Sequence, residues 1–153
     1  MNQARINDMI VETIERIVKS GYENAYVMTV SIDCMFYEDD KDAGDLRIRI
    51  PDSVSGTGHD LVVDLYRISS VESVGKDVYN SCPFWRIRGK NCLWFASSSE
   101  DKYYLDAGFA LVDCRETAVK IISSRFLNIC GMPMSDDAMK FLDIKLSVAG
   151  VFP

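Results

Sequence analysis

The hydrophobic positions of the first twenty residues repeat at the spacing of an α-helix. They fall three and four residues apart, at Ile6, Met9, Ile10, Thr13, Ile14, Ile17 and Val18. Such spacing places them on one face of a helix, and charged residues occupy most of the remaining positions. Gly21 follows where helices commonly end, with Lys19 near the negative end of the helix dipole. The pattern predicts a helix over residues 3–20.

Beyond Gly21 the spacing changes to the alternation of β-strands. Apolar residues occupy every second position from Tyr26 to Phe36, which predicts one long strand with a buried face. Residues 46–50, LRIRI, predict a second strand with its arginines turned outward. We expect these two strands to be neighbours joined by residues 37–45. In that connection Gly44 would supply a positive φ for the turn.

The middle of the chain predicts further strands with one ambiguous stretch. LVVDLYRI at 61–68 is strand-like, and PFWRIR with CLWFAS, joined by GKN, has the composition of a hairpin. YYLDAGFALVDC at 103–114 is strand-like again, with Gly108 at a potential bulge. In SSVESVGKDVYNSCP, at 69–83, the valines have helical spacing but Gly75 weakens a helix, so a loop or one short helix is expected.

Helical signals return near the C-terminus. Asp113 and Glu116 fit a capping box at the start of a helix over 114–130, which Gly131 would end. Its predicted apolar face holds Val119, Ile122, Phe126 and Ile129. Ser135 introduces a short third helix, and IKLSVAGV predicts a final strand. The whole pattern predicts an α+β fold, an antiparallel sheet of about five to seven strands packed by an N-terminal helix and a C-terminal helix, in a single globular domain over 1–153.

Composition and charge narrow the classes of function. The formal net charge is −6 and the sequence pI is about 4.7. An acidic chain disfavours direct binding to nucleic acid, which needs clustered Lys and Arg. The charged N-terminus lacks the core of a signal peptide, and no apolar run approaches the roughly 18–20 residues that span a membrane. With five cysteines and no Cys-x-x-Cys pair, we expect a cytoplasmic protein without structural disulfides or cofactors.

The acidic segment, residues 37–45 with the sequence YEDDKDAGD, is the strongest local feature. It contains one lysine and five carboxylates, those of Glu38, Asp39, Asp40, Asp42 and Asp45. A calcium loop starting at Glu38 would need glycine at its sixth position and glutamate at its twelfth, but Ala43 and Arg49 stand there. No metal site is therefore expected. Two interpretations remain, a solvated turn and a charged patch that steers a basic partner.

The stretch FWRIRGKNCLWF is both basic and aromatic. Arg86, Arg88 and Lys90 would share one face of a strand, with Trp85 and Ile87 on the other and Trp94 and Phe95 on the partner strand. A half-buried hairpin explains this pattern more simply than a nucleic-acid stacking platform, because there are only three positive charges. Trp85, Arg86 and Arg88 are also residue types that protein interfaces favour.

The single histidine, His59, offers the alternative of an enzyme or ligand-binding domain. Asp60 and Asp64 are near in sequence, and Ser53, Ser55 or any of the cysteines could act as nucleophile. None of them lies in a recognised catalytic motif. The glycine-rich SGTGHD lacks the further residues of a phosphate-binding loop. An exposed loop histidine is the simpler interpretation, and the sequence favours a role without catalysis.

These observations predict a non-catalytic, acidic binding or inhibitory protein. We expect it to dock on a basic surface of a larger protein or nucleoprotein, in the manner of immunity proteins or phage-encoded inhibitors of bacterial defence such as anti-CRISPR proteins. The predicted partner-binding residues are Glu38, Asp39, Asp40, Asp42, Asp45, Trp85, Arg86 and Arg88. No membrane partner is expected. A homodimer is a further option, since symmetric dimers are the commonest assembly.

Overall fold

A computed structural model describes residues 3–32, 44–56, 58–76, 83–97 and 108–152 of the chain, with side chains from residue 11 onward except that of Lys76. Within these residues the elements are α1 Gln3–Lys19, β1 Tyr26–Ile32, β2 Leu46–Ile50, α2 Asp52–Ser55, β3 Leu61–Arg67, β4 Ser70–Lys76, β5 Pro83–Arg88, β6 Leu93–Ser97, β7 Ala110–Val112, α3 Arg115–Cys130 and α4 Asp136–Val148.

The predicted α+β class, with antiparallel pairing and helices near both ends, is confirmed. The seven described strands form two sheets rather than one, with strand orders β2–β3–β1–β7 and β4–β5–β6. Alternation within each strand specifies a buried face but not which strands pair, so the sequence pattern could not separate the sheets.

The chain divides into two compact units. The first comprises Met1–Val27 and Tyr66–Val112, and the second comprises Met28–Leu65 and Asp113–Pro153. β1 and β3 each continue from one unit into the other. The expectation of a single domain over 1–153 stays a prediction.

The core of the first unit forms around the C-terminal half of α1. Ile14 and Ile17, three residues apart, are buried with Val27, Ile87 and other apolar side chains of the unit. A Schellman motif ends the helix, because the N–H of Tyr22 reaches the carbonyl of Ile17 and Gly21 adopts a φ of 72°. Gly21 therefore ends α1 as the sequence predicts.

Three aromatic rings close this core. Tyr66, Trp94 and Phe109 meet edge to face, with centroids 5.4 Å apart for Tyr66 and Trp94 and 5.7 Å for Trp94 and Phe109. Edge-to-face contacts of this kind add to the stabilisation that burial alone provides. They anchor β6, and so the predicted hairpin of β5 and β6, which the structure confirms with Trp85 opposite Ala96 and Ile87 opposite Trp94.

The second unit packs helices against β2 and β3. The two strands pair from Leu46 opposite Leu65 to Ile50 opposite Leu61. α4 contacts β2, α2 and α3, and it buries Ala138, Leu142 and Leu146, which are spaced four residues apart. This spacing keeps one face of α4 on the core through its whole length.

The predicted adjacency of β1 and β2 is wrong for the described residues. β3 lies between them, with β2 on one side and β1 on the other. Residues 37–45 therefore connect two strands that do not pair with each other. Residues 33–36, predicted as the end of a long first strand, and residues 37–43 lie outside the described part of the chain.

The stretch expected to be a loop or short helix contains strand β4. It pairs with β5 through Ser70 opposite Arg88, Val71 opposite Ile87 and Ser73 opposite Trp85. The register shifts between Ser73 and Lys76, where Gly75 has a φ of 97°, so a bulge accounts for the glycine. The hydroxyl oxygen of Tyr22 accepts a hydrogen bond from the N–H of Val71 at 3.3 Å. Pairing with β5 overrides the helical spacing of the valines.

Two predictions about the C-terminal helices are also wrong. The N-cap of α3 is Cys114, whose side chain makes no capping hydrogen bond, so the helix begins one residue later than a capping box with Asp113 as N-cap predicts. α4 continues to Val148, through most of the stretch expected to be a final strand. Gly131 does end α3, with a φ of 72°, and Ser135 does cap α4 by accepting from the N–H of Ala138. On α3 Ile122 and Phe126 are buried as expected, whereas Ile129 is exposed.

Candidate functional site

The acidic segment enters the described structure at its last two residues. Asp45 is exposed and immediately precedes β2. Glu38, Asp39, Asp40 and Asp42 lie outside the described residues, as do the positions compared with a calcium loop. Among the residues that are described, no group of three or more His, Cys, Asp or Glu side chains is arranged to hold a metal ion.

Gly44 is held against β3 by close backbone contact. Its N–H donates to Oδ1 of Asp64 at 3.1 Å. A Cβ at this position would lie 2.7 Å from the carbonyl oxygen of Leu65, closer than packed atoms allow. Gly44 does not have the positive φ that a turn would need. The glycine is thus explained by lack of space, and the prediction of a positive φ is wrong.

Asp64 is a buried carboxylate of the second unit and lies opposite Arg47 in the β2–β3 ladder. The guanidinium of Arg47 donates through Nε at 2.8 Å and through Nη2 at 3.2 Å to its two oxygens. Such two-pronged pairs are the stronger and more directional kind of ion pair. In the sequence, Asp64 stands out only as a carboxylate near His59. Its position opposite an arginine in a paired strand was not available without the register.

A cluster of charges occupies one face of the three-stranded sheet. Arg86 lies opposite Glu72 on the neighbouring strand, and its Nη2 is 2.8 Å from Oε2 of Glu72. Nε of Arg88 is 3.4 Å from Oε1 of the same carboxylate. The hydrogen bond from Arg86, with the charges of both arginines, lowers the pKa of Glu72 below its ordinary value of 4.5. One carboxylate thus offsets part of the positive charge of two arginines.

Aromatic side chains share this face. Phe95 lies opposite Arg86, and its ring stacks on that of Phe84 with centroids 5.4 Å apart and nearly parallel planes. We name the surface of Glu72, Phe84, Arg86, Arg88 and Phe95 the arginine face. The predicted sharing of one strand face by Arg86 and Arg88 fits this alternation. Lys90 lies in the turn after β5 rather than on the strand.

Trp85 projects to the opposite side of the sheet. It packs partly buried against the core of the first unit and lines a cleft of about 370 Å³ with Ile14 and Val18 of α1 and Val71 of β4. A second cleft, of about 420 Å³, lies beside the turn from Gly21 to Ala25 and includes Arg67. Trp85 and the two arginines therefore belong to different faces, and one flat partner surface would not contact all three.

His59 lies in the connection between α2 and β3 with its side chain exposed. The hydroxyl of Ser55 donates to the backbone carbonyl of His59 at 3.2 Å. Nearby carboxylates accept from backbone groups, Asp60 from the N–H of Asp52 at 2.9 Å and Asp52 from that of Gly58 at 2.6 Å. These contacts shape the loop. A pocket around His59 stays a prediction.

Comparison with protein-family models, with curated proteins and with solved structures finds no match to this chain. In the part of the chain that the structure describes, none of the helices is long and apolar enough to span a membrane.

Proposed function

We propose that the protein is a non-catalytic binding protein, of the immunity-protein or anti-defence inhibitor type, whose acidic segment docks on a basic surface of a larger protein or nucleoprotein. The observation that carries the proposal is the density of charge, five carboxylates against one lysine in nine residues. The exposed carboxylate of Asp45 at the start of β2 supports it, since this end of the segment is open to a partner.

Its charge would give such a segment a role both in the rate of association with a partner and in the choice of partner. Exposed charges act over a Debye length of about 10 Å at 0.1 M salt, so a concentrated patch steers a basic partner before contact. Like-charged surfaces are rejected by the same field. An acidic patch of this kind also competes with nucleic acid for a groove lined by Lys and Arg. The proposed mode of inhibition is occupation of that groove.

The arginine face is a candidate second contact. Arg and aromatic residues are enriched in protein interfaces, and Phe84 and Phe95 present a stacked pair beside Arg86. Glu72 is paired with both arginines. This neutralisation favours a protein partner over a phosphate backbone, because phosphate binding depends on uncompensated positive charge.

Charge reversal of the acidic segment tests the proposal. We expect Asp39→Lys, Asp40→Lys and Asp42→Lys together to weaken partner binding about tenfold or more, because they remove the attraction that steers and holds a basic surface. The partner is captured from cells that express the chain and then purified, and its Kd is measured by calorimetry at low and high salt. Melting temperatures of the variant and the wild type should agree closely.

A control variant separates the effect of the acidic segment from the effect of the net charge of the protein. Glu12→Lys, Glu15→Lys and Glu23→Lys alter three exposed carboxylates of the first unit. Each exchange adds two charge units, so both triple variants change the formal net charge from −6 to zero. The control should bind with nearly wild-type affinity. Equal affinity of the acidic-segment variant and the wild type would contradict the proposal, and so would equal losses in the two triple variants.

A further inference from the structure

The contact between Gly44 and β3 lies at the exit of the acidic segment. Gly44 immediately precedes Asp45 and β2, and its N–H is tied to the side chain of Asp64. The absence of space for a Cβ against Leu65 shows that the backbones approach closely. The chain therefore leaves the segment at a defined point on β3.

Asp64 is well suited to hold that point. Its residue is 5 % exposed, and its carboxylate accepts from Arg47 as well as from Gly44. Removing one partner of a buried carboxylate strongly destabilises the fold, because the remaining buried charge is left uncompensated. The three residues therefore hold one another, with Arg47 orienting the carboxylate and the carboxylate holding the backbone of Gly44.

We propose that Gly44, Arg47 and Asp64 form a clamp that fixes the backbone at Gly44, with Asp64 as a positioning residue for the carboxylate of Asp45. The inference rests on the proposed function for its consequence. A backbone that is already fixed at Gly44 need not be ordered when a partner contacts Asp45, so less conformational entropy is lost on binding. The clamp also keeps Asp45 at the same place relative to β2.

The clamp itself is tested without a partner, on the intact chain well below its melting temperature. In Asp64→Ala we expect the amide of Gly44 to exchange its hydrogen about tenfold faster, because the acceptor is gone and local opening costs less. Tryptic cleavage after Lys41 should accelerate in the same variant. Amide exchange is followed by NMR, and cleavage by mass spectrometry.

Asp60→Ala is the matched control. Asp60 pairs with Arg49 at 3.4 Å, a contact near the other end of the same two strands, and it does not touch Gly44. Its removal should leave Gly44 exchange and cleavage after Lys41 unchanged. Asp64→Asn keeps an oxygen that accepts from Gly44, so its exchange should stay close to wild type. If Asp64→Ala does not fold, Arg47→Gln replaces it, and exchange of Gly44 should accelerate there because the carboxylate loses the group that orients it.

Three results would overturn the clamp. They are wild-type exchange of Gly44 in Asp64→Ala, the same acceleration in Asp60→Ala, and a uniform acceleration at all amides, which would report global destabilisation instead. Measured against the purified partner, unchanged affinity of Asp64→Ala beside weakened binding of the charge-reversal variant refutes the positioning role alone. Unchanged affinity of the charge-reversal variant refutes the proposed function.

Discussion

At the scale of single residues, the positions that hold the acidic segment on β3 have partners that lie far away in sequence. Gly44 and Asp64 are twenty positions apart and joined by one hydrogen bond. Neither residue has a local signal, because a glycine before a strand is compatible with many turns and an aspartate in a strand is merely uncommon. The acidic composition of the segment was readable from the sequence, whereas its attachment to β3 required the strand register.

The titration of Glu72 offers a test at the scale of single residues. Its pKa is lowered first by the hydrogen bond from Arg86 and then by the charges of both arginines. We expect an NMR titration to place this pKa below 4.5. Arg86→Gln should raise it more than Arg88→Gln does, because Arg86 supplies the main cause. Equal shifts in the two variants would contradict this assignment.

The consequence for stability has a defined sign. A carboxylate whose folded pKa lies below its unfolded pKa stabilises the fold at pH values above the unfolded pKa. That contribution is lost as the pH falls through the folded pKa. The difference in melting temperature between wild type and Glu72→Gln should therefore be largest above about pH 5 and shrink as the medium becomes more acidic. Because Glu72 is close to solvent, added salt should reduce the difference.

At the scale of elements, local signals succeeded where a helix has clear ends. α1 was placed almost to the residue because its apolar spacing, Gly21 and Lys19 all agree. The end of α4 was mistaken because IKLSVAGV alternates over a short window. The four-residue spacing of Ala138, Leu142 and Leu146 was the signal that indicated a longer helix. β4 could not be recognised, since its strand conformation depends on pairing with β5.

The N-cap of α4 offers a test at this scale. The side chain of Ser135 accepts from the N–H of Ala138 at 3.1 Å, so Ser135→Ala should cost about 1 kcal/mol in free energy of unfolding. Urea denaturation followed by circular dichroism measures the change. Ser147→Ala, in the exposed last turn of the same helix, should be neutral or slightly stabilising, because alanine has the higher helix propensity. A loss as large at Ser147 would contradict the capping role.

At the scale of the whole molecule, two compact units share continuous strands. The division falls within β1, between Val27 and Met28, and within β3, between Leu65 and Tyr66. Unfolding one unit alone would leave each of these strands with an ordered and a disordered part. The fold class was predictable from the sequence, whereas this arrangement depends on pairings between distant strands.

This continuity predicts one cooperative transition. We expect differential scanning calorimetry to give a single peak, with calorimetric and van't Hoff enthalpies in a ratio of about one. Two resolved peaks, or urea curves that differ between tryptophan fluorescence and far-UV circular dichroism, would contradict the prediction of one domain. Both tryptophans, Trp85 and Trp94, lie in the first unit, so fluorescence reports that unit selectively. The homodimer stays a prediction, and sedimentation velocity on the same sample decides it.

The edge strand β4 of the three-stranded sheet has a consequence for aggregation. β4 is the terminal strand in the order β4–β5–β6, and strands in that position tend to recruit strands from other molecules. Here the phenolic oxygen of Tyr22 accepts a hydrogen bond from the backbone N–H of Val71. The β-bulge at Gly75 interrupts the regular strand a few residues later. A foreign strand would find few consecutive hydrogen-bonding groups in register. Tyr22, whose N–H also completes the C-terminal motif of α1, thereby disfavours strand pairing between copies of this chain at high protein concentration.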